Sequence, residues 1–360
     1  MWEKNPLSKL LGVRYPIIQA PMASSSTPEL AITISNAGGL GSLAAAMLSI
    51  EELQAQCRLI RTKTNEAFLV NFFAHTPPTR NKKKENDMRE LLTPAYKSLG
   101  QWKVPEAIDP PPPFGNQHLK VILEEKPRIV SFHFGLPKQH FITALKSAGI
   151  KILSTATCVD EALDLEDRGV DAVIAQGHDA GGHRGTYKGD YRTGEVGTMS
   201  LVPQVVDAIN IPVIAAGGVT DGRGIAASLS LGASGVQMGT AFLRCPECKN
   251  HLLYRDVLKN AKDNKTRITK AFSGRPARAI ENVFIRNMAE SSNNLPDFPI
   301  PNTLTGLLRK ASVEAGSSEY LSLWAGQAAA LSLDLPAHKL IKKLINDAEN
   351  SIVKLNQGYS

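Results

Sequence analysis

The chain has 360 residues, 42% hydrophobic and 21% charged, with a formal net charge of +7. That composition excludes a disordered, collagenous or disulfide-stapled chain, and it supplies apolar material for one large domain with a smaller appendage. No apolar run is long enough to span a membrane, and the start, Met1-Trp2-Glu3-Lys4, carries no apolar signal core.

Short apolar runs alternate with helical patterns along the chain. In order, a strand at 16–20 precedes a helix at 29–36, a strand at 39–43 a helix at 50–61, and a third strand spans 68–73. After an interruption come strand 128–134, helix 139–147, strand 151–155, helix 159–167, strand 172–176, helix 201–208, strand 212–216, helix 223–231 and strand 235–238. Gly38, Gly149, Gly169 and Gly232 follow helical patterns as C-caps do. Strand–helix alternation means a parallel sheet, and about eight such units in about 240 residues predict a closed (β/α)8 TIM barrel. A doubly wound open sheet is the alternative, but it usually needs fewer strands.

The spacing breaks at 76–127, an insertion after the third strand. It holds Lys82-Lys83-Lys84, a helix expected at 87–98, and Asp109 followed by four prolines, which read as a stiff surface connector. The lysine run reads as a solvated face, and no nucleic-acid motif accompanies it. Beyond 245 the tail exceeds what one barrel helix needs. The expected organisation is a barrel over 1–245 and 326–360, with a smaller, substrate-covering subdomain at 246–325 inserted before the C-terminal helix. The basic segment 266–280 suits a small hairpin or sheet. Apolar residues on one face of 337–355 predict an amphipathic closing helix.

The four cysteines include one CxxC, Cys245-Pro246-Glu247-Cys248, with no second ligand pair nearby. No metal is expected, and free thiols in the cytoplasm are. The positive balance favours small anionic ligands.

Barrel active sites lie at the C-terminal ends of the strands. Here those ends carry Gln19-Ala20-Pro21-Met22, Asn71, Ser131-Phe132-His133, Thr155, Gln176 with the loop to Gly185, Gly217-Gly218, and Gln237-Met238-Gly239-Thr240. The loop after Gln176 is the most pointed of these: His178, His183 and Arg184 stand among Gly177, Gly181, Gly182 and Gly185. Glycine pairs let backbone N–H groups close around a phosphate, and barrels frequently place a phosphate on the last two βα loops, where Gly217-Gly218 and Gly239-Thr240 fall. Neither GxGxxG nor GxxxxGK[ST] occurs.

The stretches Gln19–Ala23, Gly38–Ser42, Val130–Pro137, Gln176–Gly185, Ala215–Gly224, Gln237–Thr240 and Phe272–Arg278 together resemble the nitronate monooxygenases, formerly 2-nitropropane dioxygenases, of class I type. The resemblance implies one non-covalent FMN. Ala20, Pro21, Met22, Asn71 and Gln176 would line its ring, and Gly181 and Gly182 would lie beside it. Gly217, Gly218, Gln237, Gly239 and Thr240 would hold its ribityl phosphate. The family's catalytic histidine falls on His183. The implied reaction is oxidation of an alkyl nitronate, with propionate 3-nitronate as substrate, by O2 to a carbonyl compound and nitrite through a flavin semiquinone.

Imidazole is a suitable base for a nitroalkane α-proton, whereas a nitronate needs only orientation of its nitro oxygens. The bland alternative for His183 is a structural histidine on a loop carbonyl. His133 also ends a strand and is expected to face the pocket as a catalytic group. His178 is expected to serve behind the site or at the surface. Arg275 and Arg278 are candidate sources of positive charge, and Tyr320, Trp324 and Gln327 of a pocket-closing segment. Ser131 lacks a triad partner. The competing readings are an FMN-dependent NAD(P)H enoyl reductase and a barrel lyase, although no strand end carries a Schiff-base lysine. The expected partners are a small anionic nitronate and O2, with a homodimer as the candidate assembly and neither nucleic acid nor membrane.

Overall fold

The computed structural model describes residues 2–101, 103–291 and 294–358. Positions 1 and 359–360, at the outer ends of the expected barrel segments, and 102, 292 and 293, inside the two expected additions, lie outside the described residues.

Eight strands form one parallel sheet: β1 (Ile17–Gln19), β2 (Gly41–Ala44), β3 (Phe68–Phe73), β4 (Ile129–His133), β5 (Lys151–Ala156), β6 (Ala172–Gln176), β8 (Val213–Ala216) and β9 (Gly235–Met238). The order is β1-β9-β8-β6-β5-β4-β3-β2, and a parallel bridge between Ile18 and Leu40 joins the two edges. The architecture is the expected TIM barrel. The second strand starts two residues later than expected, because Leu40 reaches β1 through that bridge alone while Gly38 turns the chain at φ 91°.

Period-two alternation sorts each strand into two faces. Ile17, Val70, Phe132, Val173 and Val236 point outward and pack under the helices. Ile18, Leu69, Ile129, Leu153, Ile174 and Ile214 point inward and fill the barrel with Leu7 and Leu11 of the helix Pro6–Leu11. That helix seals the N-terminal end: a Cβ on Gly235, at the start of β9, would stand 2.6 Å from Leu7 Cδ2. The barrel is therefore solid below and open above.

The inserted segment divides between two cores. Its first helix, Lys82–Ser98, opens at the lysine run because Asn81 caps it, accepting from Lys84 N at 3.0 Å. Met88, Leu92 and Tyr96 from this helix share a buried cluster with Phe272, Phe284, Leu304 and Leu308 of the tail. Tyr96 Oη donates to the Leu304 carbonyl at 2.7 Å. The second helix, Asn116–Glu125, was not foreseen in the sequence. It completes the barrel's outer layer, with Glu125 bound to Arg58 and Arg61 at 2.9 and 3.2 Å.

In the tail, β10 (Thr266–Thr269) and β11 (Ala277–Ile280) pair antiparallel, as expected for 266–280. A third strand joins them: β7 (Gly182–His183), an excursion of the loop after β6, pairs Ala277 with His183 and Arg278 with Gly182. The closing helix, Ala337–Gln357, buries Leu340, Ile341, Leu344, Ile345 and Ala348. It lies so close to the helix Gly222–Ser230 that a Cβ on Gly222 would meet Ala348 N at 2.4 Å. Among the described residues, no helix is long and apolar enough to cross a membrane.

Candidate active site

A cavity of about 560 Å³ opens at the C-terminal end of the barrel. Its floor follows from the same alternation. One step beyond the inward apolar layer, the inward positions are Ala20, Asn71, Ser131, Thr155, Gln176, Ala216 and Gln237, with Phe73 and His133 one step higher. Apolar residues fill the barrel, and polar ones begin where solvent begins. Asn71 Nδ2 donates to Ser131 Oγ at 2.9 Å, which ties two floor residues together.

The excursion of β7 carries His183 across this floor, and the floor holds it there. His133 Nε2 and Gln176 Nε2 both approach the His183 carbonyl, at 3.1 and 3.0 Å. A carbonyl can only accept, so Nε2 of His133 carries its proton, and Nδ1 accepts from Thr155 Oγ1 at 3.1 Å. Gln176 Oε1 accepts from Gly185 N at 2.8 Å. Gly185 must be glycine, since a Cβ there would lie 2.6 Å from Thr155 Cγ2. Beneath the loop Arg184, 1% exposed, donates to the carbonyls of Gln176, Gly177 and Gly194. This arginine, expected on the glycine loop after Gln176, points inward and clamps the loop.

His183 Nε2 meets Ser273 Oγ at 2.8 Å, and Nδ1 has no protein partner among the described residues. Four aromatic rings wall the imidazole: Phe73, Phe134, Phe298 and Trp324, with centroids 6.2, 6.0, 5.6 and 5.4 Å away. Burial first, then His133 and the Arg275 charge, push the His183 pKa down to about 3. Burial also holds His133 at about 3, against the opposing pull of the His183 carbonyl and with Arg275 and Arg184 adding to the depression. Both imidazoles are neutral over the physiological range.

The opposite side of the cavity is built from backbone. Gly217 and Gly218 follow β8 with φ of 112° and 68°, in the region that favours glycine. The N–H groups of Gly218, Val219, Gly239 and Thr240 have no acceptor among the described residues. Gln237 Oε1 is buried and likewise unpartnered. A Cβ on Gly182 would meet nothing within 4 Å, so this glycine keeps open the space beside the loop.

All fourteen residues expected from sequence to form the site, from Ala20, Pro21 and Met22 to Gly239 and Thr240, line this one cavity. The other expected residues divide between the cavity and its surroundings. His178 is outside the lining; its carbonyl accepts from Arg278 Nε at 3.0 Å, and its Nδ1 is buried without a partner. Trp324 lines the cavity, but Tyr320 packs into the second core and Gln327 only docks its N–H on Asp179 O. Ser273, Phe298, Asn302, Arg309 and Tyr254 also line the cavity and were not singled out in the sequence. Ser273 lies inside a stretch that carried the resemblance, which was a usable signal; Asn302 and Arg309 had none. Arg309 donates to Thr305 Oγ1 at 2.6 Å and Asn302 Oδ1 at 2.9 Å and forms no ion pair among the described residues. Burial lowers its pKa to about 10, so the cavity holds a cation without a counter-charge.

Against known proteins, the nitronate monooxygenase family model matches residues 4–347. A probable nitronate monooxygenase of Staphylococcus aureus (strain Newman) is 42% identical over 347 residues, covering 96% of this chain and 98% of that protein. Among solved structures, a nitroalkane oxidase from Streptomyces ansochromogenes superposes with a TM-score of 0.88 at 36% identity, covering 97% of this chain and 99% of that one. FabK from Thermotoga maritima superposes with a TM-score of 0.75 at 30% identity, covering 98% and 99%. With the barrel, the histidine on its glycine loop and near full-length matches all in agreement, the chain belongs to the nitronate monooxygenase family of oxidoreductases.

Proposed function

We propose that this protein oxidises small anionic alkyl nitronates with O2 on a non-covalent FMN, releasing nitrite and a carbonyl compound. The observation that carries this reading is one cavity in which unpaired backbone donors on two glycine loops face a neutral histidine in an aromatic wall.

The residues present fit a flavin mononucleotide. The free N–H groups of Gly218, Val219, Gly239 and Thr240 suit a phosphate. The orphan Gln237 Oε1 suits a hydroxyl or ring N–H, and the space kept by Gly182 suits a flat ring against Ala20, Pro21, Met22, Asn71 and Gln176. FMN, when bound, supplies the redox chemistry that amino-acid side chains lack.

His183 orients the substrate. A general base works best with a pKa near ambient pH, and one held near 3 suits a substrate that arrives already deprotonated, a nitronate rather than a nitroalkane. In the tautomer in which Ser273 Oγ turns its proton from the Arg275 carbonyl, 3.3 Å away, to Nε2, the Nδ1–H of His183 is left to donate to a nitro oxygen. His133, both of whose ring nitrogens are spent on Thr155 and the His183 carbonyl, is a positioning residue in this scheme. Arg309 supplies the charge that a carboxylated nitronate such as propionate 3-nitronate requires.

The test is a visible spectrum of the purified protein, followed by anaerobic propionate 3-nitronate and then air. A yellow protein whose spectrum changes with nitronate and which releases nitrite in air is expected. A yellow protein inert to nitronates but bleached by NAD(P)H moves the assignment to a reductase. A colourless protein that refuses FMN overturns the reading.

A further inference from the structure

A second pocket, about 400 Å³, lies behind the wall of the first. His75, Lys270, Arg275 and Phe298 line it, and Phe298 lines both cavities. The Phe298 ring stands 5.0 Å from the His75 ring on one side and 5.6 Å from the His183 ring on the other. Phe298 thus stands between the pocket and the candidate catalytic histidine, with the Phe73 ring 6.3 and 6.2 Å from the same two imidazoles.

His75 is 8% exposed, and neither of its ring nitrogens has a partner among the described residues. A buried donor or acceptor left unmade keeps the full cost of its lost hydration, so such groups normally find partners. Two cations face the same space. Arg275 is held by the Thr186 carbonyl and the Phe134 ring, 3.8 Å from its guanidinium carbon, and by no carboxylate among the described residues. Lys270 rests over the Tyr191 ring at 5.1 Å. One lining carboxylate, Asp297, is exposed and accepts from Thr79 N at 3.3 Å. An unsatisfied imidazole beside two cations is a site for a small anion with oxygen acceptors.

We propose that this pocket binds a small organic anion, a carboxylate or nitronate, through the charges of Lys270 and Arg275 and through a ring N–H of His75 that turns out of its closed position to meet it, and delivers it past Phe298 to the catalytic cavity. Delivery rests on the proposed nitronate activity; binding does not. The anion approaches a face that carries positive charge, which raises its local concentration before it meets His183. Phe298 then decides when the two spaces join.

Two measurements test this on the FMN-loaded protein. Crystals soaked in sodium bromide are expected to show anomalous density in the pocket among His75, Lys270 and Arg275; an empty pocket in crystals that take up bromide elsewhere overturns the binding claim. Steady-state oxidation of ethyl nitronate is then compared for wild type, His75→Phe and Lys270→Met. Each variant is expected to lose about tenfold in kcat/KM, with kcat changed less than twofold, as for a charge that steers encounter. Unchanged kcat/KM in both folded variants overturns delivery. A wild type that oxidises no nitronate sinks the proposed function instead, and the bromide result still decides the pocket.

Discussion

The floor of the cavity and its cover differ in how each residue reaches the site. Floor residues arrive by local geometry. Once a segment is a barrel strand, alternation points Asn71, Ser131, Thr155, Gln176 and Gln237 inward, and the shared strand direction brings them all to the same end of the barrel. Cover residues arrive by long-range packing. Ser273, Phe298, Asn302, Arg309 and Trp324 are positioned by a core that joins a helix from 82–98 to segments beyond 265. His183 belongs to both, carried by the loop after β6 and fixed by pairing with β11. Rigid, repeated geometry builds the part that holds a cofactor, and the variable part sets what meets it.

This contrast can be broken from the floor side first. Gly217→Val should have the largest effect. Its φ of 112° disfavours any side chain, and a Cβ there would sit 2.9 Å from Ala180 N. We expect a folded protein that purifies colourless, read by the flavin absorbance and by circular dichroism; retention of full flavin would remove the glycine loops from the cofactor site.

His183→Gln tests the hinge between the halves. A loss of about 100-fold in kcat/KM with FMN content unchanged is expected from removing an oriented donor. A loss below about threefold would leave His183 a structural residue.

Arg309→Met sharpens the cover's role in selectivity. KM for propionate 3-nitronate should rise about tenfold, on the scale of one charge-assisted hydrogen bond, while ethyl nitronate changes little. Equal effects on both substrates would place Arg309 in folding and not in recognition. Ser273→Ala, which removes the partner of His183 Nε2, should cost only a few-fold in kcat, since a neutral hydrogen bond is worth about 1 kcal/mol.

The last effect is on stability and not on turnover. His133 and His183 are held near pKa 3 and His75 near 4, below the value of about 6.5 for an unfolded histidine. The unfolded chain therefore binds more protons below pH 6.5, and the stability present above that pH is lost as pH falls toward 3–4. Each histidine contributes at most about 1.4 kcal/mol per pH unit. Thermal unfolding should show a lower Tm at pH 5 than at pH 8, and His75→Phe should shrink that difference. An identical drop in the variant means His75 does not contribute.

Much of the floor could be read before any coordinates. Strands at 68–73, 172–176 and 235–238 and helices at 139–147 and 159–167 fall where periodicity placed them, because short apolar runs, the last two strands flanked by glycine, leave few alternatives. The helix Asn116–Glu125 is illegible in the sequence because it follows the proline run, and its polar N-terminal turn weakens the pattern. The start of the helix at 82 was hidden because three lysines read as solvated surface whether or not they are helical.

The sequence alone determined the barrel, its alternation and the glycine loops, since each depends on neighbours within a few positions in the chain. It also placed His183 on the loop that matters. Only the tertiary structure decided that Arg184 clamps from beneath, that His133 spends both nitrogens on positioning, and that Arg309 stands in the cavity without a carboxylate. Those outcomes depend on which distant groups share a buried space, and burial and hydrogen-bond satisfaction are properties of that space and not of any segment of chain.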